Sequence, residues 1–338
     1  MLELVFLGTS ASAPSIQRGL PSQVLLYQDE RFLVDCGEGT QRQILRSGLG
    51  FRRMNRMLLT HGHLDHILGL GGLISTFARW EAVDKFEIYG GQRSLDRVHD
   101  LLFGVVLRGA RPPVAIELID AKPGILLDSD EFEVRVFGVR HRGAGSVGYR
   151  FSEKSRRPFL PEQANALGVP AGPVRRDLVN GKSVTLPDGR IIRPDEVLGP
   201  DRPGLAIAIT GDTGQVENLV EAVQGVDILV TEATYLSRDR EMARRFGHIT
   251  ADEAGWLARE AGVRMLVLTH LSQRYRIRDI LAEVEAYFEP VIAARDFDRF
   301  TVTREKITLT NQQLQVDTEL SPEEWGDGEF PHTLGDDG

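Results

Sequence analysis

The 338-residue sequence contains one cysteine, Cys36, so no disulfide can form within the chain. No apolar run approaches the ~20 residues that a membrane-spanning helix needs. Residues 1–7 lack the basic flank and the long apolar stretch of a signal peptide, and they predict a first strand instead. We therefore expect a cytoplasmic protein that does not associate with a membrane.

Basic charge does not balance acidic charge, since the net charge is −9. That excess would argue against a nucleic-acid partner if it were evenly spread. Eight Asp and Glu residues and no Lys or Arg lie in residues 317–338, so this tail accounts for all but one of the net negative charges. Its acidic, Pro- and Gly-containing composition predicts a disordered tail. The remainder is close to neutral, so a local basic face is compatible with the sequence.

Short aliphatic runs recur between helical patterns, which predicts a layered α/β fold. Thr250 and Glu253 form a capping-box pattern at the start of one predicted helix. The predicted strands are residues 2–7, 24–27, 31–35, 56–59, 86–89, 131–139, 146–151, 205–210, 228–231 and 264–269. The predicted helices are residues 40–47, 66–79, 94–108, 216–223, 238–246, 251–260 and 277–287.

Residues 152–203 interrupt this pattern with eight prolines and little periodic hydrophobicity. We predict an insertion without regular structure there, apart from a hairpin formed by residues 183–186 and 190–192. Residues 150–203 contain ten Lys and Arg against seven Asp and Glu, so the region is basic. On this evidence alone, a surface loop without a partner and a functional module are both open.

Four possible metal ligands, His61, His63, Asp65 and His66, lie within six positions directly after the apolar run 57–59. Imidazole nitrogen together with carboxylate oxygen suits zinc and its neighbours among the transition metals. The alternative is a polar loop that is rich in histidine by chance. A metal site is the stronger interpretation because further candidates follow other strands.

His141, Asp212 and His270 each follow a predicted strand. Open α/β sheets place their chemistry where strand ends converge on one edge. The resulting seven ligands are too many for one tetrahedral zinc and suit two ions, with Asp212 as the natural bridge. The first metal would take His61, His63 and His141, and the second would take Asp65, His66 and His270.

Taken together, these motifs resemble the metallo-β-lactamase fold, and more closely the tRNase Z (ribonuclease Z) family. The resemblance extends over about residues 1–312. Its carriers are His61-Gly62-His63-Leu64-Asp65-His66, Phe6-Leu7-Gly8-Thr9-Ser10, Val34-Asp35-Cys36-Gly37, Gly211-Asp212-Thr213, Thr231-Glu232-Ala233-Thr234, Gly247-His248-Ile249-Thr250 and Thr269-His270-Leu271-Ser272.

This resemblance implies a four-layer αβ/βα sandwich with a projecting flexible arm. Residues 1–151 and 204–316 would form one catalytic domain, 152–203 the inserted tRNA-binding arm, and 317–338 the acidic tail. It further implies two Zn²⁺ per chain and a homodimer. It also implies that Glu232 pairs with His248, and that His248 donates a proton to the departing 3′ oxygen. A histidine whose pKa is raised by a carboxylate is a suitable proton donor.

The arm assignment depends on residues 167–173, where Gly172-Pro173 is the most specific match, and on the hairpin. By resemblance the arm would grip the tRNA away from the active site. Basic residues would then contribute salt-sensitive affinity for RNA. The candidates are Arg156, Arg157, Arg175 and Arg176 in the arm, with Arg274 near the metal ligands as a further phosphate contact.

Two residues depart from the family pattern: Leu64 stands where the family has Gly, and Gly71 where it has Pro. Neither is a ligand, so we expect metal binding to survive, while Leu64 could narrow the site. The leading hypothesis is a zinc-dependent endoribonuclease that removes the 3′ trailer from tRNA precursors, with Asp65, His248 and Glu232 as catalytic residues. The products would be a tRNA with a 3′-hydroxyl and a trailer with a 5′-phosphate.

Two alternatives remain open from the sequence. One is a phosphodiesterase of the same fold that acts on a small molecule or another RNA. The departure from the family pattern at Leu64 favours this alternative. The other is a non-catalytic RNA-binding protein, against which the complete ligand set argues. The position of the cut relative to an encoded CCA end and the metal used in the cell are not determined by these residues.

Overall fold

The structure is a computed structural model that describes residues 1–80, 83–112, 114–143 and 145–311. The acidic tail predicted for residues 317–338 lies outside the described residues. Within these ranges, none of the helices has the length and apolar character required to cross a membrane.

The strands of the described chain are, in order, β1 (Leu2–Gly8), β2 (Ser22–Tyr27), β3 (Glu30–Val34), β4 (Arg56–Leu58), β5 (Lys85–Gly90), β6 (Ala115–Asp120), β7 (Gly124–Asp128), β8 (Phe132–Gly138), β9 (Val147–Glu153), β10 (Val184–Thr185), β11 (Ile191–Ile192), β12 (Ala206–Ile209), β13 (Ile228–Glu232), β14 (Met265–Thr269), β15 (Val291–Ala293), β16 (Asp298–Val302) and β17 (Ile307–Asn311). The α-helices are α1 (Thr40–Arg46), α2 (Leu64–Ile67), α3 (Leu70–Trp80), α4 (Gln92–His99), α5 (Pro161–Ala166), α6 (Pro173–Val179), α7 (Arg240–Phe246), α8 (Ala251–Ala261) and α9 (Ile277–Glu285).

Two large sheets form the centre of the molecule. One has the strand order β17-β16-β1-β2-β3-β4-β5-β6, and the other has the order β15-β14-β13-β12-β9-β8-β7. Strands β3 to β6 are parallel, as are β12 to β15. Each sheet therefore has a run of parallel strands whose carboxyl ends share one edge, which is where α/β proteins place their sites.

Alternating side chains decide which residues join which layer. In β1, Leu2, Leu4 and Phe6 face the second sheet and join a core that includes Tyr149 and Phe151. The intervening residues of β1 face away from that core, towards helices α1 to α4, in a second cluster. A third cluster lies between the second sheet and helices α8 and α9. The order helix, sheet, sheet, helix is the predicted four-layer αβ/βα sandwich, which is confirmed.

The insertion predicted to lack regular structure is in fact folded. It contains α5, α6 and the predicted hairpin, which is formed by β10 and β11 and pairs Val184 with Ile192. A separate apolar cluster of buried residues holds it together: Ala164, Val169, Leu178, Leu186, Ile192, Val197 and Leu198. These side chains come from short segments separated by Pro and Gly, so no single segment shows a periodicity that would reveal them.

The arm leaves and re-enters the sheet at adjacent positions. β9 extends to Glu153, and β12 pairs with it antiparallel from Ala206 opposite Ser152. A Cβ placed on Gly204 would lie only 1.9 Å from the carbonyl oxygen of Glu153, so the two ends of the insertion are in close contact. The arm is therefore a side branch of an otherwise continuous β9–β12 pair.

Three predicted helices differ from the structure. The helix expected over 66–79 is two helices, α2 and α3, because the chain turns at Gly69, where a Cβ would lie 2.1 Å from the Gly37 carbonyl oxygen. The helix expected over 94–108 ends as α4 at His99 and continues as a π-helix over Asp100–Val106. The helix expected over 216–223 is a single 3₁₀ turn, Glu217–Leu219.

Candidate metal centre

The seven predicted ligands lie together at the edge where the parallel strands of both sheets end. His61, His63, Asp65 and His66 follow β4 in the first sheet. The second sheet contributes His141 after β8, Asp212 after β12 and His270 after β14. The centre is thus assembled from both sheets.

Side-chain atoms of the candidate ligands form overlapping groups, one of which is Asp212, His248 and His270. One cluster contains His61, His63, His141 and Asp212, and another contains Asp65, His66 and His270. Asp212 lies between them, because its Oδ2 is 3.6 Å from His61 Nε2 and 3.3 Å from His270 Nε2. Such a position is the one a carboxylate needs to contact two ions at once.

Hydrogen bonds to the opposite ring nitrogen fix three imidazoles with Nε2 facing inward. His66 Nδ1 donates to Asp35 Oδ2 at 2.8 Å, and Thr60 Oγ1 connects His61 Nδ1 to the same carboxylate. His141 Nδ1 donates to the Gly247 carbonyl oxygen at 2.6 Å. Partners of this kind set the tautomer of metal-ligating histidines.

In the second sheet, Glu232 orients histidine side chains in the same way. It is fully buried at the end of β13 and accepts His248 Nδ1–H at 3.0 Å. Thr234 Oγ1 donates to Glu232 and accepts from His270 Nδ1, which lies 2.9 Å away. One buried carboxylate therefore orients both a predicted ligand and the predicted proton donor, as the proposed Glu232–His248 pair requires.

Three buried nitrogens of the centre have no hydrogen-bond partner among the described residues: His61 Nε2, His66 Nε2 and His270 Nε2. Buried polar atoms are nearly always paired, so this set requires an explanation. Burial lowers the pKa of His61 well below its usual value, so the ring is neutral with a free lone pair on Nε2. A neutral imidazole with an inward lone pair, as His61 has, fits a divalent metal ion.

Local charge also sets the pKa of Asp212 and of His248. Burial disfavours the Asp212 carboxylate, but the positive charge of neighbouring histidines, first His270 and then His66, holds its pKa well below the usual range. Burial likewise favours neutral His248, but the charge and hydrogen bond of Glu232 outweigh it and raise the pKa of His248 to about 9. His248 follows α7 and immediately precedes the Thr250–Glu253 capping box, which is confirmed by the bond from Thr250 N–H to Glu253.

The predicted RNA contacts lie in different surroundings. Arg274 is exposed near the centre, where its Nη1 contacts Met242 Sδ. In the arm, Arg176 is exposed, whereas Arg175 donates to Asn165 and to the Val169 carbonyl oxygen.

The arm's other predicted positions also differ in their contacts. Gly172 and Pro173 form the exposed start of α6, and Gly172 adopts φ 114°. Arg157 donates to the carbonyl oxygens of Leu198 and Gly199 within the arm. The sequence interpretation missed this internal use because hydrogen bonds to distant carbonyls leave no local pattern.

Several orienting residues were also not assigned from the sequence: Asp35, Thr60 and Thr234. A signal was present, because Asp35 follows β3 and Thr60 follows β4 at the same edge as the ligands. The backbone N–H of Ser12, which has φ 58°, also donates to Asp65 Oδ2 at 3.1 Å. Such residue types are too common at strand ends to be selected by type alone.

This fold and this site define a metal-dependent hydrolase of the metallo-β-lactamase superfamily. A family model described as beta-lactamase superfamily domain matches residues 182–271, and one described as anti-Pycsar protein Apyc1 matches residues 2–111. The solved structure of YhfI from Bacillus subtilis, a metallo-beta-lactamase fold protein, has a TM-score of 0.64 at 18% identity and covers 88% of this chain and 98% of its own.

Relatives at higher identity narrow the assignment. Ribonuclease Z of Bradyrhizobium sp. (strain ORS 278) is 48% identical over 302 residues, which is 89% of this chain and 100% of the relative. Ribonuclease Z of Haloferax volcanii is 40% identical, over 81% of this chain and 86% of the relative. The structure of human tRNase Z, short form, has a TM-score of 0.61 at 25% identity and covers 89% of this chain and 98% of its own. The chain belongs to the ribonuclease Z family.

Proposed function

We propose that this metal-dependent endoribonuclease removes the 3′ trailer from tRNA precursors, leaving a 3′-hydroxyl on the tRNA and a 5′-phosphate on the trailer. The observation that carries the proposal is the position of Asp212 Oδ2, within 4.0 Å of imidazole nitrogens from both ligand clusters. Membership of the ribonuclease Z family supplies the substrate class.

For the cofactor, we propose two Zn²⁺ ions. The first would be held by His61, His63 and His141, the second by Asp65, His66 and His270, with Asp212 shared. When bound, divalent ions supply an activated water and positive charge for the phosphate oxygens. The orphaned Nε2 atoms and the mixed N and O donor set support this assignment.

The chain's own residues provide the proton for the leaving group. Glu232 engages His248 Nδ1, so Nε2 is the atom that can face the substrate. The His248 side chain is 11% exposed, and its ring lies 5.3 Å from that of His270. We assign His248 as the donor to the 3′ oxygen, Glu232 as its orienting partner, and Asp65 as both ligand and catalytic residue.

Recognition of the tRNA body would fall to the arm, residues 152–203, with Gly172-Pro173 at an exposed helix start and Arg176 offering a free charge. Arg175 adds charge but its donors largely serve the arm itself. Arg274 would contact phosphate near the centre. A homodimer, inferred by family resemblance, and a cytoplasmic location, inferred from the sequence, remain part of this proposal.

The direct test is cleavage of a precursor that carries a 3′ trailer, by the wild type and by Asp65→Ala, with both product ends mapped. A cut at the discriminator or just after CCA that is lost in the variant supports the proposal and locates the cut. If bis(p-nitrophenyl) phosphate is hydrolysed but no precursor is cut, the alternative of a phosphodiesterase with another substrate is correct. Leu64, whose side chain is 53% exposed, would then mark the difference.

A further inference from the structure

A small pocket opens directly beside the metal centre, on the side of His61 and His63. Its volume is about 160 Å³, which is room for about five water molecules. The residues that line it come from three separate segments: His61, Gly62, His63, Arg93, Ser94, Arg97, Arg142, Gly143 and Ser146. None of the metal-site assignments above uses its arginines.

Close backbone approaches build this pocket. A Cβ on Gly62 would lie 3.0 Å from Ser94 Cα, so the loop after β4 packs against the first turn of α4. A Cβ on Gly91 would lie 2.1 Å from the Gly145 carbonyl oxygen, so the loop after β8 packs against the same turn. The contact at Gly91 leaves no room for a side chain, and the contact at Gly62 leaves little, so the three walls of the pocket pack closely together.

The pocket carries unbalanced positive charge. Its described lining contains three arginines and no Asp or Glu. Arg97 Nη1 donates to the Gly62 carbonyl oxygen at 2.8 Å, which ties it to the loop of predicted ligands. Arg93 and Arg142 are exposed and form no ion pair with the described carboxylates. Guanidinium groups without a carboxylate partner are the usual ligands of phosphate.

An aromatic side chain extends this surface towards His248. The Arg142 guanidinium lies 5.6 Å from the ring centroid of Phe246, which is 39% exposed. Exposed aromatic rings beside Arg side chains are surfaces on which single-stranded RNA bases rest. The pocket and Phe246 together offer a phosphate site with a base platform next to it.

We infer that Arg93 and Arg142 bind the first trailer phosphate beyond the scissile one. This inference rests on the proposed function. His248 protonates the oxygen that stays with the tRNA, so the tRNA end leaves the centre on the side of His248. The trailer continues from the scissile phosphate into the pocket, because His61 and His63 line both the centre and the pocket. The pocket thus holds the product strand that must later depart.

The test uses a precursor with a two-nucleotide trailer whose internal linkage is either phosphate or uncharged methylphosphonate, with a 2′-deoxy sugar at that position in both substrates. For the wild type, methylphosphonate should lower kcat/KM roughly tenfold, the size expected for one charged contact. The double variant Arg93→Gln/Arg142→Gln should show a similar loss on the phosphate substrate and no further loss on the methylphosphonate.

A matched control removes two charges elsewhere. Arg52→Gln/Arg304→Gln changes exposed residues outside the pocket and should retain the tenfold effect of methylphosphonate. The inference is overturned if the losses from Arg93→Gln/Arg142→Gln and methylphosphonate multiply, or if the variant loses sensitivity only to methylphosphonate on the tRNA side of the cut. Failure of the wild type to cut any precursor would instead refute the proposed function. Bound zinc and melting temperature confirm that each variant is folded.

Discussion

His66 Nδ1 donates to Asp35 Oδ2 at 2.8 Å, and both side chains are buried. Asp35 also accepts Thr60 N–H and Thr60 Oγ1–H, each at 2.8 Å. Through Thr60 it reaches His61, which belongs to the other ligand cluster. One carboxylate outside the metal centre therefore orients a histidine for each proposed ion.

Replacing this carboxylate should weaken metal binding without removing a ligand. We expect Asp35→Asn to lower zinc affinity by about 10- to 100-fold, the usual effect of losing an orienting partner. Competition with a chromophoric chelator measures the affinity. Asp130→Asn, at an exposed position, is the control and should leave affinity unchanged. An unaltered affinity in Asp35→Asn would show that the imidazoles are held by packing alone.

Metal content should distinguish the shared carboxylate from an unshared one. Asp212 lies between the two clusters, whereas Asp65 belongs to one. We expect about two zinc ions per chain in the wild type, about one in Asp65→Asn, and fewer than one in Asp212→Asn. Elemental analysis after gel filtration gives these values. Equal loss in the two variants would argue against a bridging role for Asp212.

The role of His248 can be isolated by changing the leaving atom. His248→Ala should lower precursor cleavage by about 10²–10⁴, the range for a general acid. A precursor with sulfur in place of the scissile 3′ oxygen needs little protonation, because a thiol ionises near pH 8.5. The variant should therefore recover most of its rate on that substrate, and Asp65→Ala should not. Equal loss of rate on both substrates would assign His248 to another role.

The arm can be removed at its natural junction. Because Gly204 contacts Glu153, a short Gly-Ser linker in place of residues 155–203 should join β9 to β12 as a hairpin. We expect precursor cleavage to fall roughly a hundredfold or more, as when several phosphate contacts are lost. Hydrolysis of bis(p-nitrophenyl) phosphate should persist. Parallel loss of both activities in a folded protein would refute the arm's role in binding.

Stability should depend on pH through Asp296. This carboxyl is 5% exposed, and burial raises its pKa to about 6. An unfolded Asp titrates near 3.9. The folded state thus holds the proton more tightly, so the stabilisation is complete below about pH 4 and is lost as pH rises through about 6. Relative to Asp296→Asn, the wild type should lose roughly 2–3 kcal/mol between these limits.

Denaturant unfolding of wild type and Asp296→Asn at several pH values from 4 to 7 gives this difference directly. Other titrating groups are common to both proteins, so their contributions cancel. The exposed Asp29→Asn serves as the control and should track the wild type across the range. Parallel pH profiles for Asp296→Asn and wild type would contradict the raised pKa.

Sequence patterns identified the ligands because each follows a strand, and strand ends are readable from aliphatic runs. The same patterns missed β6, whose alternating residues are only partly buried at the sheet edge. They also predicted α4 and the following π-helix as one helix, because a change in hydrogen-bond spacing does not alter the composition. The break between α2 and α3 at Gly69 also escaped prediction. It depends on a contact with Gly37, which only the tertiary fold brings close.

The sequence patterns also failed to predict that the arm is folded. Its core draws Ala164, Leu178 and Ile192 from three short elements, none of which is amphipathic over enough residues to be recognised. Asp35 and Thr234 were visible in the sequence but matter through their Nδ1 partners, which only three-dimensional proximity defines. Local sequence patterns were sufficient to predict the candidate ligands, whereas the contacts that orient their side chains depend on tertiary packing.

The division of the metal centre between two sheets has a consequence for how the protein is made. Synthesis delivers the ligands of the first sheet by residue 66, Asp212 much later, and His270 last. A nascent chain that ends before β14 therefore lacks His270 and offers an incomplete set of candidate ligands, even if its first sheet has formed. The candidate ligand set is consequently complete only when both halves of the molecule have been synthesised and have come together.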